Sequence, residues 1–495
     1  MSTYNKIYVA RIIVEADTPL FVGSGEVGLL SDMQVQRDHL GLPMIMGTTL
    51  AGVLRNEFQS NKKKGDFTGI GNERKYTPSP FETLFGYHEE NFGQGSRVRI
   101  SSAYLMLNER ECVQGLGQKI DPKIFDIFTT LPIRPHVKIN AKGVADKDNN
   151  ALFFNEVVYK GGRFKFEIEL LGGDCDKGNW DEILNTLRDP RFRIGMGTRK
   201  GYGALKIIEL KAQIYEVGKE APPTCLNSEL SKTESTEINC EDTNNIERKD
   251  GKGESKEQRI IYNVGLTPED FFYFGNDTSD TEVDNTPATE AVIMYTKDTV
   301  ELSKEYTIIP ASSIKGALAH RTAFYYNKLK KRFIVHEDGG YKCNANIEEI
   351  IGSKNEAISY LFGVEANDKD KDKDKEKTGR RGRVIINDIF LSNKEVKNDK
   401  IFNHVAIDRF TGGAIDSALF SEKVCYFRDR GNLEQEEHKI NFDVTLLNAD
   451  DTGFKDCIEA FEMALKDMTT GLLPLGGMTT KGHGIFTGKY TRVEK

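Results

Sequence analysis

A nine-residue pattern that occurs twice limits what this chain can fold into more than any other feature of its sequence. The pattern Gly-x-x-Thr-x-Lys-Gly-x-Gly spans residues 195–203 and returns, without a gap, at residues 476–484. Repetition of a pattern at long spacing indicates a duplicated unit. A chain of 495 residues is long enough for two or three domains. We therefore predict two related domains, residues 1–215 and residues 258–495.

Both halves show the same order of strand-like and helix-like segments. Strands are predicted where apolar and polar residues alternate, and helices where apolar residues recur at three- and four-residue spacing. In the first half, the predicted strands are residues 6–16, 97–105, 163–171 and 203–210, and the helices 48–58 and 180–187. In the second half, the strands are 259–266, 383–390, 439–447 and the stretch after residue 484, and the helices 312–321 and 456–466. The order β-α-β-β-α-β predicts an α+β fold that is ferredoxin-like (RRM-like) in each half and enlarged by insertions.

Residues 216–257 are predicted to form a flexible acidic linker between the two domains. This segment has eleven acidic and six basic residues, a balance of −5 out of the chain's net charge of −8, and too few apolar residues to bury a core. A lysine- and aspartate-rich run is predicted to form a disordered loop at residues 365–380. An acidic chain is ordinarily a poor candidate for nucleic-acid binding. Here much of the acidity lies in the linker, so the net charge says little about local basic surfaces.

The remaining composition favours a cytoplasmic protein. No apolar run approaches the length of a membrane span, and the N-terminus lacks the apolar block of a signal peptide. The seven cysteines are scattered, and none forms a Cys-x-x-Cys pair. Neither a disulfide framework nor a zinc site is therefore expected. No membrane partner is expected either, because no apolar run is long enough.

The repeated glycine pattern is typical of a segment that contacts a phosphate backbone. It lacks the spacing of a Walker A motif, and it does not follow the first strand as a dinucleotide fingerprint would. It combines backbone N–H groups with Arg199, Lys200 or Lys481, which suits the backbone of a polymer better than its bases. The alternative is a tight turn before an edge strand, in which the glycines serve only to allow positive φ. Because no turn requires the repeated threonine and lysine, backbone binding is favoured.

Two further stretches lie where they could act with these loops. The predicted first helix of each half begins at a pair of hydroxyl residues, Thr48 and Thr49 or Ser312 and Ser313. Such a helix N-terminus can cap itself or bind an anion. Asp32 lies in a glycine-flanked loop between the first strand and the first helix. From the residues alone, an aspartate in such a loop is more often a turn former than a catalyst.

The combination of these motifs resembles the RAMP superfamily of CRISPR proteins, and most closely the backbone subunits of type III effector complexes. The motifs in the first half are Asp32 and residues 45–55, 84–86 and 195–203. Those in the second half are residues 308–321, 361–363, 407–414 and 476–484. Two such units in one chain are similar to the double backbone subunit of a type III-D effector.

The resemblance implies units that stack along a guide RNA (crRNA) within a larger complex. It implies that the glycine loops and first-helix N-termini hold guide phosphates, and that an inserted thumb kinks the pairing of guide and target RNA. It also implies that an aspartate after the first strand cuts target RNA with Mg²⁺ or another divalent metal, and Asp32 stands in that position as catalytic residue and metal ligand. Other RAMP-type subunits and large signalling subunits are the implied protein partners. The implied RNA-binding residues are Thr48, Thr49, Arg55, Thr198, Arg199, Lys200, Tyr202, Ser312, Ser313, Lys315, Arg321, Arg409, Thr479, Lys481 and His483.

The second half departs from the family pattern at the place of Asp32. Residues 289–293 fall there, and six extra residues precede the helix. Three alternatives stay open: Glu290 substitutes for the aspartate, Asp284 reaches the site from the preceding loop, or the unit is inactive. We expect reduced or absent cutting by this unit. The thumbs differ too, because residues 137–143 lack the Ile-Asp-Arg-x-Thr-Gly sequence of residues 407–412.

Two other functions compete with target-RNA cleavage. One is a non-catalytic RNA-binding scaffold, which the missing aspartate of the second half favours. The other is a guide-processing ribonuclease with a metal-free histidine site, for which His320 near the first helix of the second half is the candidate. His39 is a further candidate base for cleavage at Asp32.

Overall fold

The structure is a computed structural model, and it contains two units that follow one another along the chain. It describes residues 4–28, 31–59, 65–68, 75–89, 91–113, 118–139, 145, 152–189, 191–217, 259–275, 282–332, 334–337, 340–343, 350, 352–364, 379–427, 439–448 and 452–494. Nearly all of the predicted linker and most of the predicted loop at 365–380 lie outside these residues.

The first unit alternates strands with helices in the predicted order, with extra hairpins between them. Its strands are β1 (Lys6–Ala16), β2 (Met44–Ile45), β3 (Asp66–Thr68), β4 (Lys75–Thr77), β5 (Tyr87–Glu89), β6 (Phe92–Gln94), β7 (Val98–Ile100), β8 (Ala103–Leu105), β9 (Ile133–Val137), β10 (Leu152–Glu156), β11 (Arg163–Gly172) and β12 (Leu205–Glu216). Its helices are α1 (Gly47–Gln59), α2 (Pro80–Phe85), α3 (Pro122–Thr129) and α4 (Lys177–Arg188).

The second unit repeats this order. Its strands are β13 (Ile260–Pro268), β14 (Thr289–Glu290), β15 (Ile293–Tyr295), β16 (Val300–Leu302), β17 (Tyr306–Ile309), β18 (Ile334–Glu337), β19 (Gly340–Cys343), β20 (Gly363–Val364), β21 (Arg380–Arg381), β22 (Val384–Ile386), β23 (Ile389–Leu391), β24 (Val396–His404), β25 (Phe420–Phe427), β26 (Ile440–Leu446) and β27 (Phe486–Glu494). Its helices are α5 (Ala311–Leu329), α6 (Glu356–Leu361) and α7 (Lys455–Thr469).

Each unit is built on an antiparallel sheet with an equivalent strand order. The order is β12-β1-β11-β8-β2 in the first unit, with β7 also paired to β11, and β27-β13-β26-β22 in the second. In both sheets the first strand lies between the last strand and the strand that precedes the final helix. The prediction of two tandem α/β units with antiparallel sheets is therefore confirmed.

Apolar side chains on one face of each sheet pack against the helices. In β11 every second residue is buried, from Phe164 to Leu170. Leu50, Leu54 and Phe58 of α1 are buried in the same core, as their helical spacing predicts. The predicted strands at 97–105 and 383–390 are each divided into two short strands, β7 and β8 or β22 and β23.

A two-stranded hairpin is inserted before the strand that precedes the final helix of each unit. The first pairs β9 with β10, and the second pairs β24 with β25. We call these hairpins the first and second thumb, after the insertions that the resemblance implies. The first thumb lies in the stretch between residues 108 and 159, for which the sequence predicted little regular structure.

A buried arginine from the first thumb joins the two units. Arg134 of β9 donates a hydrogen bond from Nε to Glu290 Oε2 of the second unit at 2.8 Å, and another from Nη1 to Asp388. The three side chains are 11%, 3% and 1% exposed, in that order. Burial acts to lower the pKa of Arg134, but the two carboxylates outweigh it and raise this pKa well above its ordinary value. Arg193 of the first unit forms a second contact with the second unit, donating a hydrogen bond from Nη2 to Asn387 Oδ1 at 2.6 Å.

Replacing Arg134 with methionine should destabilise the chain by about 3–5 kcal/mol, because two buried carboxylates lose their cation. Denaturant unfolding of the full chain measures this loss. The matched control is Lys330→Met, which breaks an exposed ion pair with Asp456 and should cost less than about 1 kcal/mol. Equal losses in the two variants would contradict a structural role for the buried pair.

Candidate nucleic-acid interface

Asp32 is exposed and is held against the first thumb. Its N–H donates to Phe154 O at 2.9 Å, and its carboxylate Oδ2 accepts the Phe154 N–H at 2.7 Å. The next residue, Met33, forms a parallel bridge to Asn155 in β10. Backbone contacts therefore fix this carboxylate while the residue remains open to solvent.

Asp284 is held by the thumb in a similar way in the second unit, although its own N–H donates to Ser421 Oγ, at 3.2 Å. Its Oδ2 accepts the N–H of Ser421 at 2.8 Å and the hydroxyl of the same residue at 3.0 Å. The next residue, Asn285, forms a parallel bridge to Glu422 in β25. The backbone N–H of Ser421 is the largest cause that lowers the pKa of Asp284 below its ordinary value. Asp284 is therefore held as an exposed, ionised carboxylate.

A second bridge in each unit shows that Asp32 and Asp284 are equivalent. Gly23 pairs with Val35 in the first unit, and Gly275 pairs with Pro287 in the second. In both units the aspartate lies nine residues after the glycine and three residues before its partner. Of the alternatives that the sequence left open, the structure therefore favours Asp284 as the counterpart of Asp32.

Glu290 occupies a different environment from Asp32. The residue is 5% exposed and is paired with Arg134 at the junction of the units. Burial is the largest influence on its pKa and raises it, although Arg134 acts in the opposite direction. A carboxylate that is buried and paired in this way cannot reach a substrate in solvent. We therefore correct the sequence-based candidate and assign Glu290 to the junction.

A lysine–phenylalanine–histidine stack stands beside each aspartate. In the first unit, Lys200 Nζ lies 5.9 Å from the ring centroid of Phe153, and His136 stacks on the same ring at 5.1 Å. Phe153 immediately precedes the residue whose N–H binds Asp32. The lysine is contributed by the glycine loop and the other two residues by the thumb, so the stack ties these segments together.

The second unit repeats the stack with different neighbours. Lys481 Nζ lies 4.7 Å from the Phe420 ring centroid, and His404 stacks on that ring at 4.7 Å. His404 Nε2 lies 2.9 Å from Glu422 Oε1, whereas the equivalent His136 bonds to the Tyr202 hydroxyl at 2.8 Å in the first unit. The stack is therefore common to both units although its hydrogen-bond partners differ.

The glycines of the repeated pattern have a structural role. Gly195 has φ +85°, and a Cβ there would lie 2.0 Å from Phe21 O. Gly476 has φ +94°, and a Cβ there would lie 2.2 Å from Tyr273 O. No other residue could adopt this backbone at such close approach. The turn interpretation therefore explains these glycines, and it leaves the repeated threonine and lysine unexplained.

The first glycine loop docks onto the second unit. Thr198 is 8% exposed, and its hydroxyl accepts a hydrogen bond from Arg381 Nη2 at 3.1 Å. Arg199 Nε donates to Gly382 O at 2.9 Å. Tyr202 is 2% exposed, and burial raises its pKa to about 12. Of the candidate residues in this loop, Lys200 is the exposed one.

The second glycine loop presents more of its residues to solvent. Lys481 and Gly482 are exposed, and a Cβ at Gly482 would meet open space. Thr479 is partly buried, and His483 is 8% exposed. The Nε2 atom of His483 lies 3.7 Å from Glu422 Oε1. The two loops therefore share a sequence pattern but not an environment.

The first helices begin one or two residues earlier than the hydroxyl pairs predict. Helix α1 begins at Gly47, so the exposed Thr48 and partly buried Thr49 lie in its first turn. Helix α5 begins at Ala311, whose N–H donates to Asp388 Oδ1 at 2.8 Å. The predicted capping by Ser312 or Ser313 is therefore wrong, because a carboxylate from the β22–β23 connection takes that role.

The tip of the second thumb is apolar and exposed. Phe410 is 100% exposed, Leu419 71% and Ile407 61%. Two backbone hydrogen bonds between Asp408 and its neighbours close the turn, one to Gly413 O and one from Gly412 N–H. The neighbouring Arg409 is also exposed. Exposed apolar clusters of this kind mark interaction surfaces.

The remaining candidate residues have simpler surroundings. Arg55 is exposed, with its guanidinium 5.7 Å from the Phe81 ring centroid. Arg321 donates from Nη2 to Leu472 O at 2.7 Å and lies 3.4 Å from Asp467, so it braces the second unit. His39 and His320 are both exposed.

Asp32 and Asp284 each offer an exposed carboxylate that could hold a divalent metal. Within the described part of the chain, no three His, Cys, Asp or Glu side chains are grouped so that they could hold a metal ion. Mg²⁺ commonly binds through one or two carboxylates together with substrate phosphates and waters. Asp32 and Asp284 fit that mode of binding, in which the RNA supplies the other ligands.

The fold and the equivalent sites at Asp32 and Asp284 define a protein of two related units. Each unit exposes basic side chains beside its aspartate. The model of the RAMP superfamily matches residues 13–206 and again residues 296–487. The chain therefore belongs to the RAMP superfamily, in two tandem copies, and this membership indicates a CRISPR-associated RNA-binding subunit. A search of curated proteins found no match to the chain. Among the described residues, no helix has the length and apolar character needed to cross a membrane.

Replacing Ser421 with alanine should raise the pKa of Asp284 towards its ordinary value, because one of the donors to the ionised carboxylate is lost. The backbone N–H remains, so the rise should be partial. A ¹³C NMR titration of the aspartate carboxyl groups measures it. Asp32 is the internal control, since it has no bond to Ser421; an equal shift in both residues would rule out this local cause.

Proposed function

We propose that the chain is a double backbone subunit of a type III CRISPR effector complex, most like type III-D, that binds guide RNA and cleaves complementary target RNA once per unit. The equivalent contacts of Asp32 and Asp284 carry this proposal. A loop aspartate needed only for a turn would not have to be held by the thumb in both copies. The proposal replaces the expectation that the second unit cuts weakly or not at all.

The fold supports a unit of the ferredoxin-like (RRM-like) kind. Each main sheet has the order fourth, first, third, second when the strands of the β-α-β-β-α-β plan are numbered along the chain. The thumbs project from this plan as hairpins, and the second strand of each hairpin contacts the aspartate. The cleavage site proposed for each unit therefore lies where the thumb meets the loop after the first strand.

The chemistry proposed for each site is transesterification within the RNA. The 2′-hydroxyl attacks the adjacent phosphorus in line, the bond from phosphorus to the 5′-oxygen breaks, and a 2′,3′-cyclic phosphate forms. Asp32 or Asp284 accepts the hydroxyl proton, and the 5′-oxygen takes a proton from solvent. Mg²⁺ or another divalent ion, held by the aspartate and the RNA phosphates, would supply charge stabilisation.

The lysines of the two stacks are proposed to contact RNA phosphates beside these aspartates. Lys200 and Lys481 are exposed, and each is positioned over a phenylalanine ring by a cation–π contact. A lysine that is already ordered loses less entropy when it binds a phosphate. We therefore propose that the exposed basic residues contact the guide. Residues whose side chains already form hydrogen bonds between the two units are not included.

Replacing Asp32 with alanine should remove one product of target cleavage, and Asp284→Ala should remove the other, because each unit cuts at its own site. The double variant should leave the target intact while guide binding is retained. The measurement is a product ladder from end-labelled target RNA with the reconstituted complex. Asp298→Ala, an exposed aspartate away from both sites, is the control and should leave both products.

The outcomes of this experiment separate the competing functions. Loss of one product in Asp32→Ala and no change in Asp284→Ala would mean that only the first unit cuts. An unchanged ladder in the double variant would leave the chain as an RNA-binding scaffold. Cleavage of precursor guide RNA in EDTA, abolished by His320→Ala, would instead indicate a guide-processing ribonuclease.

The exposed thumb tip gives a separate prediction. The Phe410 side chain is fully exposed, so Phe410→Ala should leave thermal stability within about 0.5 kcal/mol of the original. If the ring inserts between bases, the same change should slow the cut by the second unit about tenfold or more, and should spare the cut at Asp32. Equal slowing of both cuts would contradict a local role. Quantified product ladders and thermal melting provide the two readouts.

A further inference from the structure

A buried carboxylate lies between the second thumb and the second glycine loop. The side chain of Glu422 in β25 is 0% exposed. His404 Nε2 of β24 lies 2.9 Å from Glu422 Oε1, and His483 Nε2 of the glycine loop lies 3.7 Å from the same oxygen. Two other polar atoms here, Glu422 Oε2 and His483 Nδ1, are buried without a hydrogen-bond partner. We call these three residues the Glu–His–His cluster.

The Glu–His–His cluster adjoins the residue that holds Asp284. Ser421, whose N–H donates to the Asp284 carboxylate, immediately precedes Glu422 in β25. Glu422 itself forms the parallel bridge to Asn285, the residue after Asp284. Contacts that constrain Glu422 therefore also constrain the strand at the point where it holds the aspartate.

In the first unit, residues without a carboxylate occupy the same three places. Asn155 forms the parallel bridge that Glu422 forms in the second unit. Tyr202 stands at the position of His483 in the repeated glycine pattern. Its hydroxyl lies 2.8 Å from Nε2 of His136, the histidine of the first stack. The two units therefore differ here in whether the thumb and the glycine loop enclose an acidic group.

The histidine of the first unit is neutral at physiological pH. Burial, followed by the charges of Lys200 and Arg134, lowers the pKa of His136 to about 4. Arg134 precedes this histidine by two residues in β9, and the residue two places before His404 in β24 is Phe402. The second unit therefore has a carboxylate beside its histidine where the first unit has a cation.

The buried carboxylate requires a proton within the cluster. A carboxylate removed from water is stable only when a cation or a proton neutralises it. In the part of the chain that the structure describes, the titratable side chains placed against Glu422 are His404 and His483. The proton can lie on an imidazole or on the carboxylate, and both arrangements belong to one coupled equilibrium. In either arrangement the cluster has no net charge, and loss of the proton leaves a buried negative charge.

Other charged groups surround the cluster on the elements that pack against it. They are Lys400 of β24 over the Phe402 ring, Lys423 of β25 paired with Glu282, Lys481 of the glycine loop over the Phe420 ring, and Asp284 at Ser421. Hydrogen bonds from Ser421 lower the pKa of Asp284, so this group stays ionised near neutral pH. None of these groups is a histidine. We therefore assign a change in proton binding near neutral pH to the Glu–His–His cluster.

We propose that Glu422 is a positioning residue of the second unit, and that the proton it shares with His404 and His483 holds the second thumb against the glycine loop beside Asp284. The inference rests on the proposed function, since the reaction that Glu422 positions is the cut at Asp284. The first unit makes the equivalent contact between neutral side chains. The two cuts made by one chain should therefore respond differently to pH.

The second cut should weaken relative to the first as the pH rises. In the unfolded chain, a glutamate is ionised and a histidine is largely neutral above about pH 7, so the native cluster holds one proton more. The stability that this proton gives to the contact is present at low pH and is lost as the pH rises and the cluster releases it. Factors common to both sites, such as deprotonation of the 2′-hydroxyl, cancel in the ratio of the second cut to the first.

The test is a pH series of target cleavage by the reconstituted complex, from about pH 6 to about pH 9 at a fixed concentration of divalent ion. One proton permits at most a roughly tenfold change per pH unit, and the ratio of the second cut to the first should fall about fivefold or more. In Glu422→Gln, which keeps the shape of the side chain without a titrating carboxylate, the ratio should stay constant. Glu422→Asn combined with His483→Tyr gives the second unit the residues of the first, and should also remove the pH dependence. The control Tyr426→Phe removes a hydrogen bond to Asp399 in the same hairpin and should keep the fall.

Thermal melting of the full chain at the same pH values is a readout that needs no cleavage. The melting temperature of the original protein should fall relative to that of Glu422→Gln as the pH rises, because only the original protein has this proton to lose. A cleavage ratio that stays constant in the original protein, or falls equally in Glu422→Gln, would overturn the inference. Absence of the second cut at every pH would instead contradict the function proposed for the second unit. The melting series would then decide, and a difference in melting temperature that does not change with pH would overturn the inference.

Discussion

The second unit depends on a cation that the first unit supplies. Asp388 accepts the first N–H of α5 and at the same time pairs with Arg134 from the first thumb. Its side chain is 1% exposed, so removal of the arginine would leave this carboxylate buried without its charged partner. The start of α5, the adjacent glycine loop and the base of the first thumb are thus fixed by one buried network. The two units consequently behave as parts of one structure, although each has its own sheet and core.

The two units are most alike where the backbone conformation or a backbone hydrogen bond is required. They differ in side chains that no backbone contact constrains. The glycines that pack on Phe21 O and Tyr273 O adopt the same conformation in both loops. The aspartates are held by the N–H of equivalent thumb residues. Around them, Tyr202 is replaced by a histidine, and the histidine of each stack has a different partner. The lysine, phenylalanine and histidine of the stack occur in both units, although no backbone contact requires these residue types.

The sequence was sufficient to predict the duplication, the order of elements and the place of Asp32, because each leaves a local pattern. It left the counterpart in the second unit open between Glu290, Asp284 and an inactive unit, because six extra residues before the helix displace Glu290 to the position of Asp32 in the sequence comparison. The spacing is the same on the N-terminal side of the loop, where Gly23 and Gly275 each precede the aspartate by nine residues. The extra residues of the second unit follow the aspartate. The pairing of Arg134 with Glu290 could not be predicted, since it joins positions 156 residues apart and no local periodicity reports such a contact. The same holds for the docking of the first glycine loop.

Because the two units are joined in one chain, their interface need not supply the whole free energy of association. Two separate chains would have to bury enough favourable surface to associate at cellular concentrations. Units joined in one chain have a higher effective concentration than separate chains, so their interface can tolerate interactions that oppose association. The crowding of Arg199, Lys315 and Arg381 at the junction of the units is an interaction of that kind. A fused pair can therefore retain, between its halves, a crowding of like charges that would weaken the association of two independent subunits.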